Sequence, residues 1–507
     1  MDRRFVSVKC VACSSSSAKV PLHSKNKNNG DKKDAGAATS MNCSNSFRRN
    51  SPKSCASVLY SSNVSASTVR STPAKYDAFR RRYPLAHMKT SVNDYELLPM
   101  RSEFLIIGGG LTGSAAAYWL KQGFRDEELT VNVLESTENV GASSSDPNDN
   151  EPPDINLLPV GVMHLARTAE EAETFRNAWK LQVDRGANVI LIGRDELRSR
   201  FPFMNFDDVV YEELVLGLEN EGIFDTWQLL SALREKNMTL GVRYLKGEME
   251  GTVTYRHRGM QEHGRASAED ADAAEQSMQA IRGAVVRPQM TGATPRRIQC
   301  FKLINAAGPW AGEVAKRAGV GQKGGVMSVP MPIVCTRRTN FVVHAPHVPV
   351  LQMPILMDPN GFFCRPDNVG HNYVCGRTPT KKDAVKMAGS KPEDDPPIDY
   401  NEFFDQIFPA LVQRVPSFRE AKVINAWHSY EDFNTFDDLP VIGEHLSQND
   451  FFQLCGFGGY GPQMAIAAGK MFADRIFDYA YSAVNLRRFD MRRIMQGERL
   501  REQFRCV

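Results

Sequence analysis

No uninterrupted apolar run in this chain reaches the ~18 to 20 residues that a membrane-crossing helix requires. The nearest candidate, Phe104 to Leu120, is interrupted by four glycines, so no transmembrane segment is expected. Cysteine is also sparse: ten in 507 residues, widely scattered, which excludes a disulfide scaffold. Cys10 and Cys13 have metal-ligand spacing but no second pair nearby, so no metal site is expected. Acid is nearly missing from Met1 to Thr90, where seventeen Lys and Arg face four Asp. The remainder of the chain therefore carries −10, which leaves no basic surface for nucleic acid.

Residues 1–95 are rich in Ser, Asn, Lys and Arg and show little periodic hydrophobicity. Such a composition cannot bury a core. Two readings fit it: a mitochondrial transit region, basic, Ser-rich and acid-poor, or a tail without address value.

The richest local signal is Phe104-Leu-Ile-Ile-Gly-Gly-Gly-Leu-Thr-Gly113, an apolar run that ends in glycines and enters an Ala-rich helical segment. Gly108, Gly110 and Gly113 occupy the G-x-G-x-x-G positions of a dinucleotide turn, with Leu111 and Thr112 between them. Gly108 allows the turn, Gly110 brings a pyrophosphate near the backbone, and Gly113 lets helix and strand pack. A second strand, Leu129 to Leu134, ends in Glu135, an acceptor for ribose hydroxyls that would repel a 2′-phosphate. Ser143 and Ser144 follow as small hydroxyl residues able to line a pyrophosphate or ring. Two further strand ends are rich in small residues. Lys302 to Asn305 runs into Ala306-Ala307-Gly308, and Phe451 to Cys455 runs into Gly456, Gly458, Gly459, Tyr460, Gly461 and Gln463, followed by a helix.

Between these signals the pattern predicts a helix capped by Thr168 with Glu171, a short helix from Asp195, and a helix from Trp227 capped by Asp225 or Thr226. Residues 251–299 read as an irregular surface insertion. Segments 340–343, 361–365 and 373–376 read as antiparallel strands. Nucleotide elements interrupted by antiparallel segments and resumed near the C-terminus favour FAD over a nicotinamide cofactor.

Residues 102–507 resemble the D-amino-acid oxidase and sarcosine oxidase superfamily. The resemblance rests on Gly108, Gly110, Gly113, Glu135, Asn305 to Trp310, and Gly456 to Gly461. It implies an α/β plus α+β architecture: a Rossmann-like FAD-binding domain (GR2-type) with an inserted antiparallel-sheet substrate domain. The expected FAD-binding segments are 98–165, 224–312 and 436–507, and the substrate segments are 166–223 and 313–435. A narrower likeness rests on the Ala-Tyr-Trp-Leu-Lys121 segment, Glu219 to Trp227, Gly376 to Pro379 and Asn434 to Asp437. It implies a mitochondrial branch, in the matrix or at the matrix face of the inner membrane, that supports assembly of respiratory complex I. Its partners would be complex I subunits or other assembly factors. The alternative is an active oxidase or dehydrogenase of a small amine substrate, a secondary amine or N-methyl amino acid.

Three departures from the family pattern bear on this choice. A loop and helix are missing after Ser145. Gln463 stands where sarcosine oxidases carry a carboxylate-pairing lysine. No Cys lies within Tyr430 to Pro440 and no His follows Ser143 to Ser145, so FAD is expected to be non-covalent. Flavin chemistry demands no acid–base pair. Tyr460, Tyr430 and His428 are candidates to face the ring, with packing as the other reading of His428; Arg365 and Arg377 could bind an anion or form surface ion pairs.

Overall fold

The computed structural model describes residues 98–123, 129–136, 154–209, 214–217, 221–256, 279–290, 292–322, 325–367, 370–377, 395–481 and 484–500. The basic leader, Ser143, Ser144, the junction after Ser145 and the centre of the expected insertion lie outside them. The chain begins with strand β1 (Arg101–Ile107), helix α1 (Leu111–Gly123) and β2 (Val131–Glu135). Then come β3 (Val162–Leu165), α2 (Ala169–Asp184), β4 (Val189–Ile192), α3 (Arg194–Arg200) and β5 (Leu214–Gly217). After α4 (Thr226–Thr239) the long strands β6 (Arg243–Arg256), β7 (Gln279–Pro288) and β8 (Arg296–Asn305) lead to α5 (Ala311–Arg317). The next strands are β9 (Ile333–His344), β10 (Ile355–Asp358), β11 (Phe362–Pro366) and β12 (Asn372–Arg377). A π-helical turn (Glu402–Ile407) opens α6 (Phe408–Arg414), and β13 (Lys422–Asn434) follows. Strands β14 (Val441–His445) and β15 (Gln448–Cys455), then α7 (Gly461–Phe477) and α8 (Arg492–Met495), complete the described chain.

The strands form two sheets. In the first, β1 is parallel to β2 and β8, and β8 is parallel to β15. The β1-β2-β6-β7-β8 pairings return to β1 and form a closed circuit. Within the stretch expected to be an irregular insertion, residues 251–256, 279–288 and 296–299 are instead strand, in β6, β7 and β8. The stretch Gln279-Ala-Ile-Arg-Gly-Ala-Val-Val is poor in strand-favouring alternation because much of both its faces is buried.

Strand β1 shows why the first sheet needs two cores. Leu105 and Ile107 enter one with Ile281, Val286 and Leu303, while Phe104 and Ile106 enter the other, under α1 and α7. A Cβ on Gly469 of α7 would stand 2.8 Å from the Ala115 carbonyl carbon, so the small residues of α1 and α7 let these helices meet backbone to backbone.

The second sheet has the order β13-β9-β12-β11-β10-β3-β5-β4 and is antiparallel except at β10–β3. β3, within the stretch expected to belong to the first domain, pairs into this sheet. One face bears Phe341, Val343, Tyr373 and Cys375 in the large core that includes Phe403, Leu411 and Phe418. The capping signals act as their chemistry suggests. Thr168 and Glu171 form a reciprocal box at α2, and the Asp225 carboxylate accepts from Trp227 and Gln228 at the start of α4.

Candidate functional site

The carboxyl ends of the parallel strands share one edge. Ile107 is in register with Leu134 and Asn305, and Asn305 with Gln453. The small-residue clusters that follow β1, β8 and β15 therefore converge, although they are far apart in sequence. In open α/β sheets this edge is where ligands bind.

Gly108 has φ +107°, and a Cβ there would lie 2.2 Å from the Ala306 carbonyl oxygen. A Cβ on Gly113 would lie 2.0 Å from the Gly108 oxygen, so both positions require glycine for the protein's own packing. Gly110 differs: among the described residues a Cβ there meets nothing within 4 Å, so open space lies beside the backbone at the start of α1. Leu111 and Thr112 form the first turn of this helix. Glu135 reaches back from β2, its Oε2 accepting the Gly109 N–H at 2.7 Å. The carboxylate expected to meet a ribose thus also fixes the glycine turn.

At the end of β8, the buried Asn305 donates to the Ala311 carbonyl and to Gln453 Oε1, tying β8 to β15. Ala307 and Gly308 follow, and among the described residues open space again lies beside Gly308. In the C-terminal cluster Gly456, Gly458 and Gly459 have φ of +80°, +58° and +87°. Tyr460 precedes α7 without capping it through its side chain, and Gly461 begins the helix. Both amide atoms of Gln463 in the first turn are buried without a hydrogen-bond partner among the described residues. Such an orphaned amide calls for a ligand with a donor and an acceptor.

Asp432 was not read as a site residue from the sequence. Its Oδ2 accepts the N–H groups of Gly456 (2.6 Å) and Phe457 (3.0 Å), and its Oδ1 accepts that of Gly458 (3.0 Å). A carboxylate from the second sheet thereby shapes the glycine cluster of the first. Burial pushes its pKa up to about 6, against the opposing pull of the backbone donors.

The adjacent Glu431 lies on the other face of β13. Its Oε2 accepts from Arg338 Nη2 at 3.0 Å, and its Oε1 would lie 3.2 Å from a Cβ on Gly459. Arg338 Nε and Asn340 Oδ1 are buried on this face without partners among the described residues, while Asn340 Nδ2 donates to Ser429. A conspicuous glycine string was legible, but the Arg338–Glu431 pair joins strands distant in sequence and carried no local signal.

The three ring-facing candidates occupy different surroundings. His428 lies between Thr339 Oγ1 (3.3 Å) and the Pro396 carbonyl (3.1 Å), within the sheet's hydrogen bonding. Tyr430 donates to Asp395 and stacks obliquely 6.0 Å from Trp310; burial and the neighbouring carboxylate raise its pKa. Tyr460 alone lies in the glycine cluster. Arg365 is buried, donating to the Pro366 carbonyl with Asp367 at 3.6 Å, whereas Arg377 ends β12. Asn434 and Asp437 have a structural role: Asn434 binds Asp437 and the Leu439 carbonyl, and Asp437 anchors the buried Arg493.

The open backbone at Gly110 and Gly308, two helix N-termini and the orphaned Gln463 amide fit an extended dinucleotide carrying a polar ring system. Comparison with known proteins agrees. The profile described as FAD dependent oxidoreductase matches residues 148–475, and that of an NAD(P)-binding Rossmann-like domain matches residues 106–181. The chain is 30% identical to FAD-dependent oxidoreductase domain-containing protein 1 of Bos taurus, over 81% of this chain and 88% of that protein. L-proline dehydrogenase from P. horikoshii shares the fold with a TM-score of 0.58 at 19% identity, covering 80% of this chain and 100% of the other. Glycine oxidase from Geobacillus kaustophilus does so with a TM-score of 0.56 at 18% identity, covering 78% and 99%.

Proposed function

Because this chain belongs to the FAD dependent oxidoreductase family, we propose that it holds FAD non-covalently and uses it to oxidise a carbon–nitrogen bond of an amine. The observation that carries this reading is the contact between the dinucleotide edge and a polar sheet face, made where Glu431 lies over Gly459. When bound, FAD supplies the two-electron acceptor. Gly108 to Gly113 and the N-terminus of α1 would hold its pyrophosphate, and Glu135 its ribose. Ala307 and Gly308 would border it, while Gly456 to Gly461 and Gln463 would hold the flavin. Gln463 offers a neutral donor and acceptor there, not a full charge.

An absorbance spectrum of the purified protein tests the cofactor: both flavin bands should be present and pass into the supernatant on acid precipitation. Colour retained by the precipitate would refute non-covalent binding. Gly110→Ala should fold with little change in Tm when FAD is absent, yet weaken FAD binding at least tenfold. Unchanged affinity would remove Gly110 from the cofactor site.

Support for assembly of respiratory complex I is a second reading, favoured by the subfamily resemblance and by the neutral Gln463. It entails a matrix location and peripheral contact with the inner membrane; among the described residues no helix is long and apolar enough to cross it. Co-purification of complex I subunits with a flavin that no amine reduces would support this reading over the first.

A further inference from the structure

Every arginine of β9 carries an acidic partner: Arg337 lies 3.6 Å from Asp395, and Arg338 pairs with Glu431 at 3.0 Å. The second pair is largely buried, its side chains 16% and 15% exposed. Arg338 Nη2 is committed to Glu431, its Nε is buried, and its guanidinium carbon lies 5.8 Å from the Phe363 ring centre. Glu431 accepts from Arg338 through Oε2, and its whole carboxyl group lies against Gly459 in the glycine cluster, Oε1 at 3.2 Å and Oε2 at 3.4 Å from the place of a Cβ. The pair thus presents a carboxylate oxygen, not a guanidinium, to the cofactor edge.

The same sheet face carries Phe363 and Trp427 in a small cluster with Val342, Val374 and Met357. Phe363, Val342 and Val374 are enclosed, and Trp427 and Met357 are the half-buried members of the cluster; a carboxylate on the face that carries these two suits an ammonium group with an apolar substituent. A ligand carboxylate fits poorly. To reach the guanidinium fully it would have to displace Glu431 and leave that mostly buried carboxylate unpaired. The nearby Gln463 supplies no compensating cation.

We propose that Glu431 is the ammonium-binding residue of the substrate site, and that the preferred ligand is a cationic secondary amine with an apolar substituent and no carboxylate. The inference rests on the amine-oxidising reading above and names its substrate class. Arg338 is a positioning residue that holds the Glu431 carboxylate in place while competing with the ligand for it.

The test uses the full-length, FAD-loaded protein and two probes, N-methylbutylamine and N-methylglycine, titrated against the flavin bands. N-methylbutylamine should perturb the bands saturably, at least tenfold more tightly than N-methylglycine. Glu431→Gln should lose that preference at unchanged FAD content, with a modest fall in Tm from the buried Arg338 left without its counter-charge, whereas Arg338→Gln should tighten amine binding by removing the competing cation. Equal or tighter binding of N-methylglycine, an unaltered preference in Glu431→Gln, or no response to either probe would overturn the proposal while leaving FAD binding intact. A protein that takes up no FAD would defeat the functional reading itself. Calorimetric titration with the same amines would then still read Glu431, with heat lost in Glu431→Gln expected and no heat from the unsubstituted protein overturning the inference.

Discussion

Glu431 and Asp432 are consecutive carboxylates on one strand, directed to opposite faces of the same sheet. Asp432 is enclosed and meets three backbone donors, so its work is internal: it ties the second sheet to the glycine cluster. Glu431 meets one guanidinium and keeps an oxygen toward Gly459. Farther along, the contrast continues between Phe341, packed 5.3 Å from Phe403, and its neighbour Asn340, whose Oδ1 is buried without a partner among the described residues. One face is organised to exclude water, the other to retain polar groups at a cost in stability. Retained polarity of that kind marks the face on which a ligand belongs.

Three changes would break or sharpen this contrast. The largest effect is expected from Phe341→Ala, which removes a fully buried ring from the apolar face. It should cost about 3–5 kcal/mol in denaturant unfolding and leave the flavin spectrum of the surviving folded protein unaltered. A spectral change as large as that of a ligand would show that the faces are not independent.

Asp432→Asn reads the enclosed carboxylate through pH. With a native pKa of about 6 against an ordinary 3.8, the folded protein takes up this proton before the unfolded chain does. The stabilisation is therefore full below the unfolded value and is lost as pH rises through 6, by roughly 3 kcal/mol. Buried His445, lowered to about 4, has the opposite slope, losing stability as pH falls below its ordinary range. Because His445 is present in both proteins, the Tm difference between the unsubstituted chain and Asp432→Asn isolates Asp432. The stability of the unsubstituted chain relative to Asp432→Asn should fall from pH 4 to 7; a constant difference would contradict the assignment.

The smallest stability effect belongs to Glu431→Gln, about 1–3 kcal/mol, since the carboxamide oxygen still accepts from Arg338 while the mostly buried guanidinium loses its counter-charge. A loss as large as that in Phe341→Ala would identify the pair as a structural element.

Much of the frame was legible because its determinants are local. Gly108, Gly113 and the Thr168–Glu171 box announce themselves within a few residues, since a turn or a helix start is a short-range event. What escaped was non-local or ambiguous in period. β7 has Ala and Gly where strands usually carry branched residues, and its identity comes from neighbours on both sides. Asp432 and the Arg338–Glu431 pair acquire their meaning only when β13 lies beside β9 and against the glycine cluster. Nothing in the residues around Asp432 distinguishes it from Asp437, which instead holds Arg493.

The convergence of Gly108, Ala307 and Gly456 at one edge also sets a timetable for biosynthesis. At about 5–20 residues per second, the interval between emergence of the first and last of these segments is on the order of tens of seconds. During that time β1 and α1 exist without β15 or α7, whose glycine cluster and Gln463 complete the site. A nascent chain therefore cannot capture its cofactor stably until α7 has emerged, and truncation before α7 removes flavin retention however well the N-terminal turn has formed.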